Sequence, residues 1–270
     1  MKAQNQHQIK PETQSCQTSV NRCLLYNADC FDIFPKIQSN SIDMILCDLP
    51  YGTTSCKWDS ILPFDKLWIE YKRLIKEDGV IVLTASQPFT SALIMSNPEM
   101  FKYEIIWEKN KPSNIMQAKN SILKYHENIL VFSNQNICPT SKNQMRYYPQ
   151  GLKRCNKKVK SVMKNDGIHG NRETKKYTLE NTNYPKSILK FDKTSETEHP
   201  SEKPVSLMGY LIQTFTKENE LVLDNCMGSN STGIACQKLN RRYIGIEKNY
   251  KFYKMAVQRA VNFENAPMLF

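Results

Sequence analysis

The sequence predicts an α/β fold built on a doubly wound, mostly parallel sheet, and three observations carry that prediction. Apolar runs of strand length alternate with segments of helical period. Two of those runs, 42–47 and 221–223, end in carboxylates, Asp48 and Asp224. The second is followed by a glycine-bearing loop, a helical stretch and another strand that closes on Glu247.

Taken in order, residues 1–20 are rich in Gln, Ser and Thr with no hydrophobic period, and are expected to form a disordered leader. Residues 23–26 read as a short strand ending in Asn27-Ala28-Asp29, and Phe31, Phe34 and Ile37 then recur every three residues in a helical turn. The run 42–47, bounded by Asn40-Ser41 and Gly52, predicts a buried parallel strand. Residues 52–59 are polar around Trp58 and are expected to form a mobile flap. Asp65 is placed to cap a helix whose apolar face is Leu67, Tyr71, Leu74 and Ile75 and which Gly79 would end. A strand at 80–83, a short helix at 88–95 and strands at 102–109 and 128–132 follow. Beyond a basic stretch the sheet resumes at 220–224, then a helix at 234–239 and a strand at 242–247. A last helix at 250–261 would turn Phe252, Met255, Ala256 and Ala260 to the core.

Composition narrows the function. Of 270 residues 40% are hydrophobic and 10% aromatic, as in an ordinary globular protein, and the formal charge of +11 favours a polyanionic partner, nucleic acid before membrane. No apolar stretch approaches a membrane span and no signal peptide opens the chain. Nine cysteines without a C-x-x-C pair and four scattered histidines suggest neither a zinc site nor a disulfide framework, so a cytoplasmic location is expected and no metal. The charge is concentrated between 140 and 193, with fourteen basic residues against four acidic ones and tyrosines 147, 148, 177 and 184 interleaved. Lys153, Arg154, Lys157, Lys158, Lys160, Lys175 and Lys176 are the candidate phosphate contacts there. Basic runs are more often merely solvated, and that alternative stands beside the nucleic-acid reading.

Asp48-Leu49-Pro50-Tyr51 carries specific chemistry. The carboxylate and the Leu49 carbonyl can both accept from one amino group, Pro50 fixes the backbone, and Tyr51 offers a face for a base. An ordinary turn after a strand would use similar residues. In the second half, strand, glycine loop, helix, strand and acid follow the logic of an adenosine site, with Glu247 nineteen residues after Gly228.

Asp48-Leu49-Pro50-Tyr51-Gly52 resembles the catalytic motif of amino-methylating DNA methyltransferases, which act on adenine N6 or cytosine N4. His199-Pro200-Ser201-Glu202-Lys203-Pro204 resembles their His-Pro-x-x-Lys-Pro element, the loop 224–233 their glycine-rich cofactor loop, and 242–247 their ribose-binding strand. His126-Glu127 and Trp107-x-Lys109 match weaker elements. The order, catalytic motif before cofactor loop, resembles the β group. The resemblance runs from about 24 to 259, with the basic region as its poorly matched gap.

It implies a circularly permuted, seven-stranded S-adenosylmethionine-dependent methyltransferase sheet, with a catalytic domain at 21–137 and 199–263 and a target-recognition insertion at 138–198. It implies catalytic roles for Asp48, Leu49, Pro50 and Tyr51. Asp29, Asp48, Lys203, Asp224, Cys226, Gly228, Ser229, Asn230, Ser231, Thr232 and Glu247 would bind S-adenosylmethionine. Double-stranded DNA is the implied substrate, its adenine flipped out for methylation at N6, and a homodimer or a cognate restriction endonuclease would be compatible partners. Leu49 replaces the commoner proline, which the motif tolerates because it contributes a backbone carbonyl, while Cys226 and Asn230-Ser231 depart from the usual residues in ways that bear on cofactor affinity. The alternatives are a cytosine-N4 enzyme and a catalytically weak DNA-binding subunit. A nicotinamide oxidoreductase is disfavoured because no G-x-G-x-x-G follows Leu223.

Overall fold

A computed structural model describes residues 16–53, 56, 59–160, 176–192 and 202–265. In chain order the strands and helices are β1 (Cys16–Val20), β2 (Cys23–Asn27), α1 (Cys30–Ile33), β3 (Ile42–Asp48), α2 (Phe64–Leu74), β4 (Ile75–Ala85), α3 (Phe89–Ser96), β5 (Phe101–Glu108) and β6 (His126–Phe132). There follow β7 (Lys153–Lys160), β8 (Lys176–Thr182), β9 (Ile188–Lys190), α4 (Val205–Phe215), β10 (Leu221–Asp224), α5 (Ser231–Lys238), β11 (Arg242–Glu247) and α6 (Tyr250–Asn265).

The main sheet has the order β1-β2-β11-β10-β3-β4-β6-β5-β9. The expected seven strands run from β2 to β5, and an edge strand is added at each side. The five from β2 to β4 are mutually parallel, while β6 runs against both of its neighbours. Successive side chains point to opposite faces of a strand, so unbroken apolar runs feed two cores. Met44, Leu46, Val80, Val82 and Val222 pack with α4, α5 and α6. Ile45, Cys47, Ile81, Leu83 and Leu223 pack with α1, α2 and α3. Truncating one of these side chains, Leu46→Ala for instance, would cost roughly 2–5 kcal/mol.

This winding places the site. From β10 the chain crosses through α5 to β11 on one side, and from β3 through α2 to β4 on the other. Adjacent β3 and β10 therefore diverge at their carboxyl ends, the topological switch point where open α/β sheets bind ligands.

Several expectations need correction. Residues 16–20 of the expected leader form β1, antiparallel to β2, and residues 1–15 lie outside the described residues. The strand escapes detection because it is polar and mostly exposed at the sheet edge. α2 starts after Pro63 with no side-chain cap, so Asp65 merely lies in its first turn. The helix ends at Leu74, and Gly79 sits inside β4, where a Cβ would meet Ile75 Cγ1 at 2.8 Å and the Asp43 carbonyl at 3.0 Å. On α6, Tyr253 takes the core position beside Ala256 and Ala260, while Phe252 lines the cleft described below. Flap residues 54, 55, 57 and 58 lie outside the described residues, but Gly52 and Thr53 donate their N–H groups to Asp59 at 2.8 and 2.9 Å, so the start of the flap is pinned.

Among the described residues, segments near both ends of the expected insertion at 138–198 pack into the main body. Met145 and Leu189 are buried in the main core, and β9 pairs parallel with β5. Trp107 Nε1 donates to the Phe191 carbonyl at 2.8 Å, and the Tyr148 N–H to Thr214 at 2.7 Å. Isolated apolar residues in a polar context leave no period to read. What stands apart is the antiparallel β7–β8 hairpin, a sheet of its own. Near its start, buried Asp43 at the foot of β3 accepts from Arg146 at 2.6 Å, Lys76 at 2.7 Å and the Leu221 N–H at 2.8 Å, tying three segments together.

Candidate active site

Asp48 and Asp224, the last residues of β3 and β10, line one cleft of about 1360 Å³. That volume exceeds what a single small ligand needs, roughly 300–1000 Å³, and leaves room for two reactants. Leu49, Pro50 and Tyr51 form the same wall. Leu49 is buried in the core as well as lining this wall.

Asp48 is held from three sides. Tyr51 donates its hydroxyl to Oδ1 at 2.7 Å, Thr84 bonds the same oxygen, and Lys203 donates to Oδ2 at 2.6 Å. A carboxylate has about four acceptor sites, so one remains, on Oδ2. Phe89 stacks on Tyr51 with ring centroids 5.2 Å apart and 28° between planes, occupying one of its faces. Burial, then the negative charge of Asp48, push the Tyr51 hydroxyl well above the usual tyrosine range, so it stays a donor.

A chain of alternating charge runs back from Asp48. Lys203 lies 3.4 Å from Glu127, and Glu127 3.0 Å from Lys109, which also donates to Ser113. Burial opposes the charge on Lys203, but Asp48 and Glu127 outweigh it and hold that amine well above the ordinary lysine value. Burial likewise works against ionised Glu127, and the two lysines overcome it, bringing its pKa down to about 2. Lys203 and Glu127 are therefore both charged at neutral pH. The sequence showed Glu127 and Lys109 only as weak matches, because their partner Lys203 is far away in the chain.

The second half of the cleft starts at the β10–α5 loop. Gly228 has φ +48, a left-handed conformation that suits glycine, and a Cβ there would stand in open space. Its N–H donates to Glu247 Oε2 at 3.0 Å, and Asn249 N–H to Oε1 at 2.7 Å. Burial raises the Glu247 carboxyl above its usual range despite these bonds. Asp29 caps α1, accepting from Phe31 N–H at 3.0 Å and from Lys248 at 2.9 Å, and these partners lower its pKa against the effect of burial. Burial raises Asp224 to about 7, although Thr232 and the Cys226 N–H bond its carboxylate. Cys226, Ser229, Ser231 and Thr232 also line the cleft.

Asn230 departs from expectation. It is fully buried in the left-handed conformation at φ 67, and its amide donates to the Ala256 carbonyl at 3.4 Å, away from the cleft. It shapes the turn that starts α5 and needs Gly233 opposite, where a Cβ would come 2.0 Å from Asn230 Oδ1. Every other residue expected at the cofactor lines the cleft.

The residues present fit S-adenosylmethionine. Carboxylates Asp29 and Glu247 line the cleft as acceptors suited to ribose and adenine, with open space over Gly228. Lys203, Ser231 and Thr232 supply donors suited to an amino-acid tail, with Asp48 and Asp224 available to a cationic sulfur. Outside the cleft, Lys153, Arg154, Lys157, Lys158, Lys160 and Lys176 are all exposed on the β7–β8 hairpin, with Tyr177 exposed beside them. Lys175 lies outside the described residues.

A sheet wound about this switch point, with an Asp-Leu-Pro-Tyr corner facing an adenosine-type cradle, defines a nucleoside-cofactor methyltransferase. The profile of the DNA methylase family matches residues 42–258; the chain belongs to that family, and its activity is methylation of DNA with S-adenosylmethionine as the methyl donor. It is similar to the type II methyltransferase M2.MboI of Moraxella bovis, 27% identical over 93% of this chain and 91% of the relative. Among solved structures, it resembles the M1.HpyAVI–SAM complex with a TM-score of 0.57 and 24% identity, over 88% of this chain and 99% of that one. It also resembles the cytosine-N4-specific PvuII DNA methyltransferase, with a TM-score of 0.60 and 14% identity over 94% and 89% of the two chains. Among the described residues no helix is long and apolar enough to cross a membrane.

Proposed function

We propose that the acceptor is the N6 amino group of adenine in double-stranded DNA, presented at Asp48 as a flipped-out base. The observation that carries this reading is the single unfilled acceptor site on Asp48 Oδ2, beside the Leu49 backbone. One N–H of the amino group bonds that oxygen and the other bonds the Leu49 carbonyl, which draws the nitrogen lone pair out of the ring. The Tyr51 ring, packed on Phe89 and with the Lys203 amine 5.8 Å from its centroid, stacks on the base, since an adenine must leave the duplex before its amino group is accessible. When bound, S-adenosylmethionine supplies an electrophilic methyl group. Asp29 and Glu247 hold the nucleoside end of the donor, while Lys203, Ser231 and Thr232 hold the amino-acid end. As the amino nitrogen becomes positive, the Asp48 charge stabilises it, and the proton then leaves to solvent. Positioning in the cleft contributes the rest of the acceleration.

Exposed lysines and Arg154 on the β7–β8 hairpin support a role in holding the phosphate backbone. The type II name of the relative supports a cognate restriction endonuclease as partner, and the nine free thiols support a cytoplasmic location. Likeness to the cytosine-N4-specific PvuII fold favours one second reading, transfer to cytosine N4. Both acceptors are tested by incubating the full chain with methyl-tritiated S-adenosylmethionine and unmethylated DNA, digesting to nucleosides and separating them. Label in N6-methyladenine is the expected result; label in N4-methylcytosine would transfer the assignment to the second reading.

A further inference from the structure

The segment between β5 and β6 takes no part in the cofactor cradle, yet it rises from the rim of the cleft, which Lys111, Pro112 and Ser113 line. It is framed by its own hydrogen bonds. Lys109 N–H donates to the Tyr125 carbonyl at 2.7 Å and Ser113 N–H to Lys124 at 3.0 Å, so the two legs are zipped together. Asn114 braces the tip, accepting from the Lys124 N–H at 2.7 Å and donating to the Ile122 carbonyl at 3.1 Å. Lys124 Nζ in turn bonds the Ser86 hydroxyl. On this braced arm, Met116 and Ile122 are each 94% exposed and Ile115 is 59% exposed.

Neighbouring apolar side chains so fully in water call for a partner. Charge says which kind. From 109 to 126 the sequence holds Lys109, Lys111, Lys119 and Lys124 and not one Asp or Glu. Lysines beside protruding Met and Ile, on an arm at the mouth of a nucleotide-sized cleft, match the way proteins enter duplex DNA. Cations hold the phosphates while an apolar wedge parts a base step.

We infer that the arm 110–125 enters the duplex beside the target and that Met116 and Ile122 part the base stack to help the target leave it. This rests on the proposed flipping of the base. The wedge replaces part of the stacking lost when a base swings out, and Lys111 and Lys119 anchor it to the backbone. It is needed only while the target is stacked and paired.

The test uses the full chain and, once methylation-sensitive sequencing has given the target sequence, two synthetic duplexes containing it. In one the target base is paired; in the other it faces an abasic gap and is already loosened. Both side chains are exposed, so Met116→Ala/Ile122→Ala should melt at the wild-type temperature. Its single-turnover rate should fall ten- to a hundred-fold on the paired duplex and less than two-fold on the gapped one, while Met116→Leu keeps the wild-type rate on both. Lys119→Ala should weaken binding of both duplexes alike. Equal loss on both duplexes for the double variant, or no loss on the paired one, would overturn the wedge while leaving methyl transfer intact. A wild-type chain that methylates neither duplex would instead sink the proposed acceptor, and the wedge with it.

Discussion

Replacing Asp48 by Asn separates the charge of this side chain from its shape. In the structure its two oxygens serve Tyr51, Thr84 and Lys203. An asparagine can turn its carbonyl to Lys203 and its amide to the two hydroxyls, which accept as readily as they donate. That carbonyl retains one lone pair for the base, so the acceptor survives without its charge. At 2.6 Å the gross attraction between Asp48 and Lys203 is about 6 kcal/mol at an effective dielectric of 20. Much of that is screened, because the Asp48 side chain is 29% exposed, and Lys203 keeps Glu127 at 3.4 Å. The fold should therefore lose only about 2 kcal/mol, a melting shift of roughly 4–8 °C. Methyl transfer should lose more. A charge poised where a cation develops is worth about 3–4 kcal/mol, or a rate loss of roughly 100- to 1000-fold. The assay is single-turnover transfer of tritiated methyl to unmethylated DNA, with S-adenosylmethionine affinity measured in parallel by calorimetry. A variant within tenfold of the wild-type rate, with native affinity and melting, would refute the electrostatic role.

Three further outcomes are expected. Asp224, with its pKa raised to about 7, is largely protonated below that pH in the free protein; its ionisation penalises the fold as pH rises from the ordinary aspartate value towards 7. A cationic donor should favour the ionised form, so S-adenosylmethionine should bind more tightly from pH 6 to 8 with release of a proton, and Asp224→Asn should flatten that dependence in calorimetry. Arg146→Ala removes one partner of buried Asp43, which keeps Lys76 and the Leu221 N–H, and should cost about 2–3 kcal/mol in urea unfolding. Burial works against the Asp43 charge, but its hydrogen bonds hold its pKa below the ordinary value. Its stabilisation is therefore full above the unfolded pKa and lost as pH falls through the folded one, so the variant should lose less stability on acidification than the wild type. Changing Lys157, Lys158 and Lys160 to Gln should lower the slope of log affinity against log salt by about three for duplex DNA; an unchanged slope would leave the hairpin a solvated loop.

Much of the site was legible because its parts are local. Asp48 ends an apolar run, Gly228 precedes a helix start, and Glu247 closes the next strand, so each announces itself within a few residues. Their convergence was legible too, since β3 and β10 are adjacent at a switch point. What escaped depends on distance or exposure. The Lys203–Glu127–Lys109 chain joins three segments, and no pattern within one of them signals it. β1 is a polar edge, and Asn230 looks like a ligand residue until its buried left-handed backbone shows it serving the turn. Gly79 passed for a helix stop because a glycine required by close strand packing and one required by a turn look alike in sequence.

The way the basic hairpin is rooted has a consequence for how such a protein changes over generations. Its two roots, at 145–148 and at β9, are fastened into the catalytic body through Arg146, Tyr148 and the Trp107–Phe191 bond. The strands β7 and β8 are mounted between these posts. The strands β7 and β8 can diverge without disturbing Asp48 or Glu247, since neither strand lines the cleft.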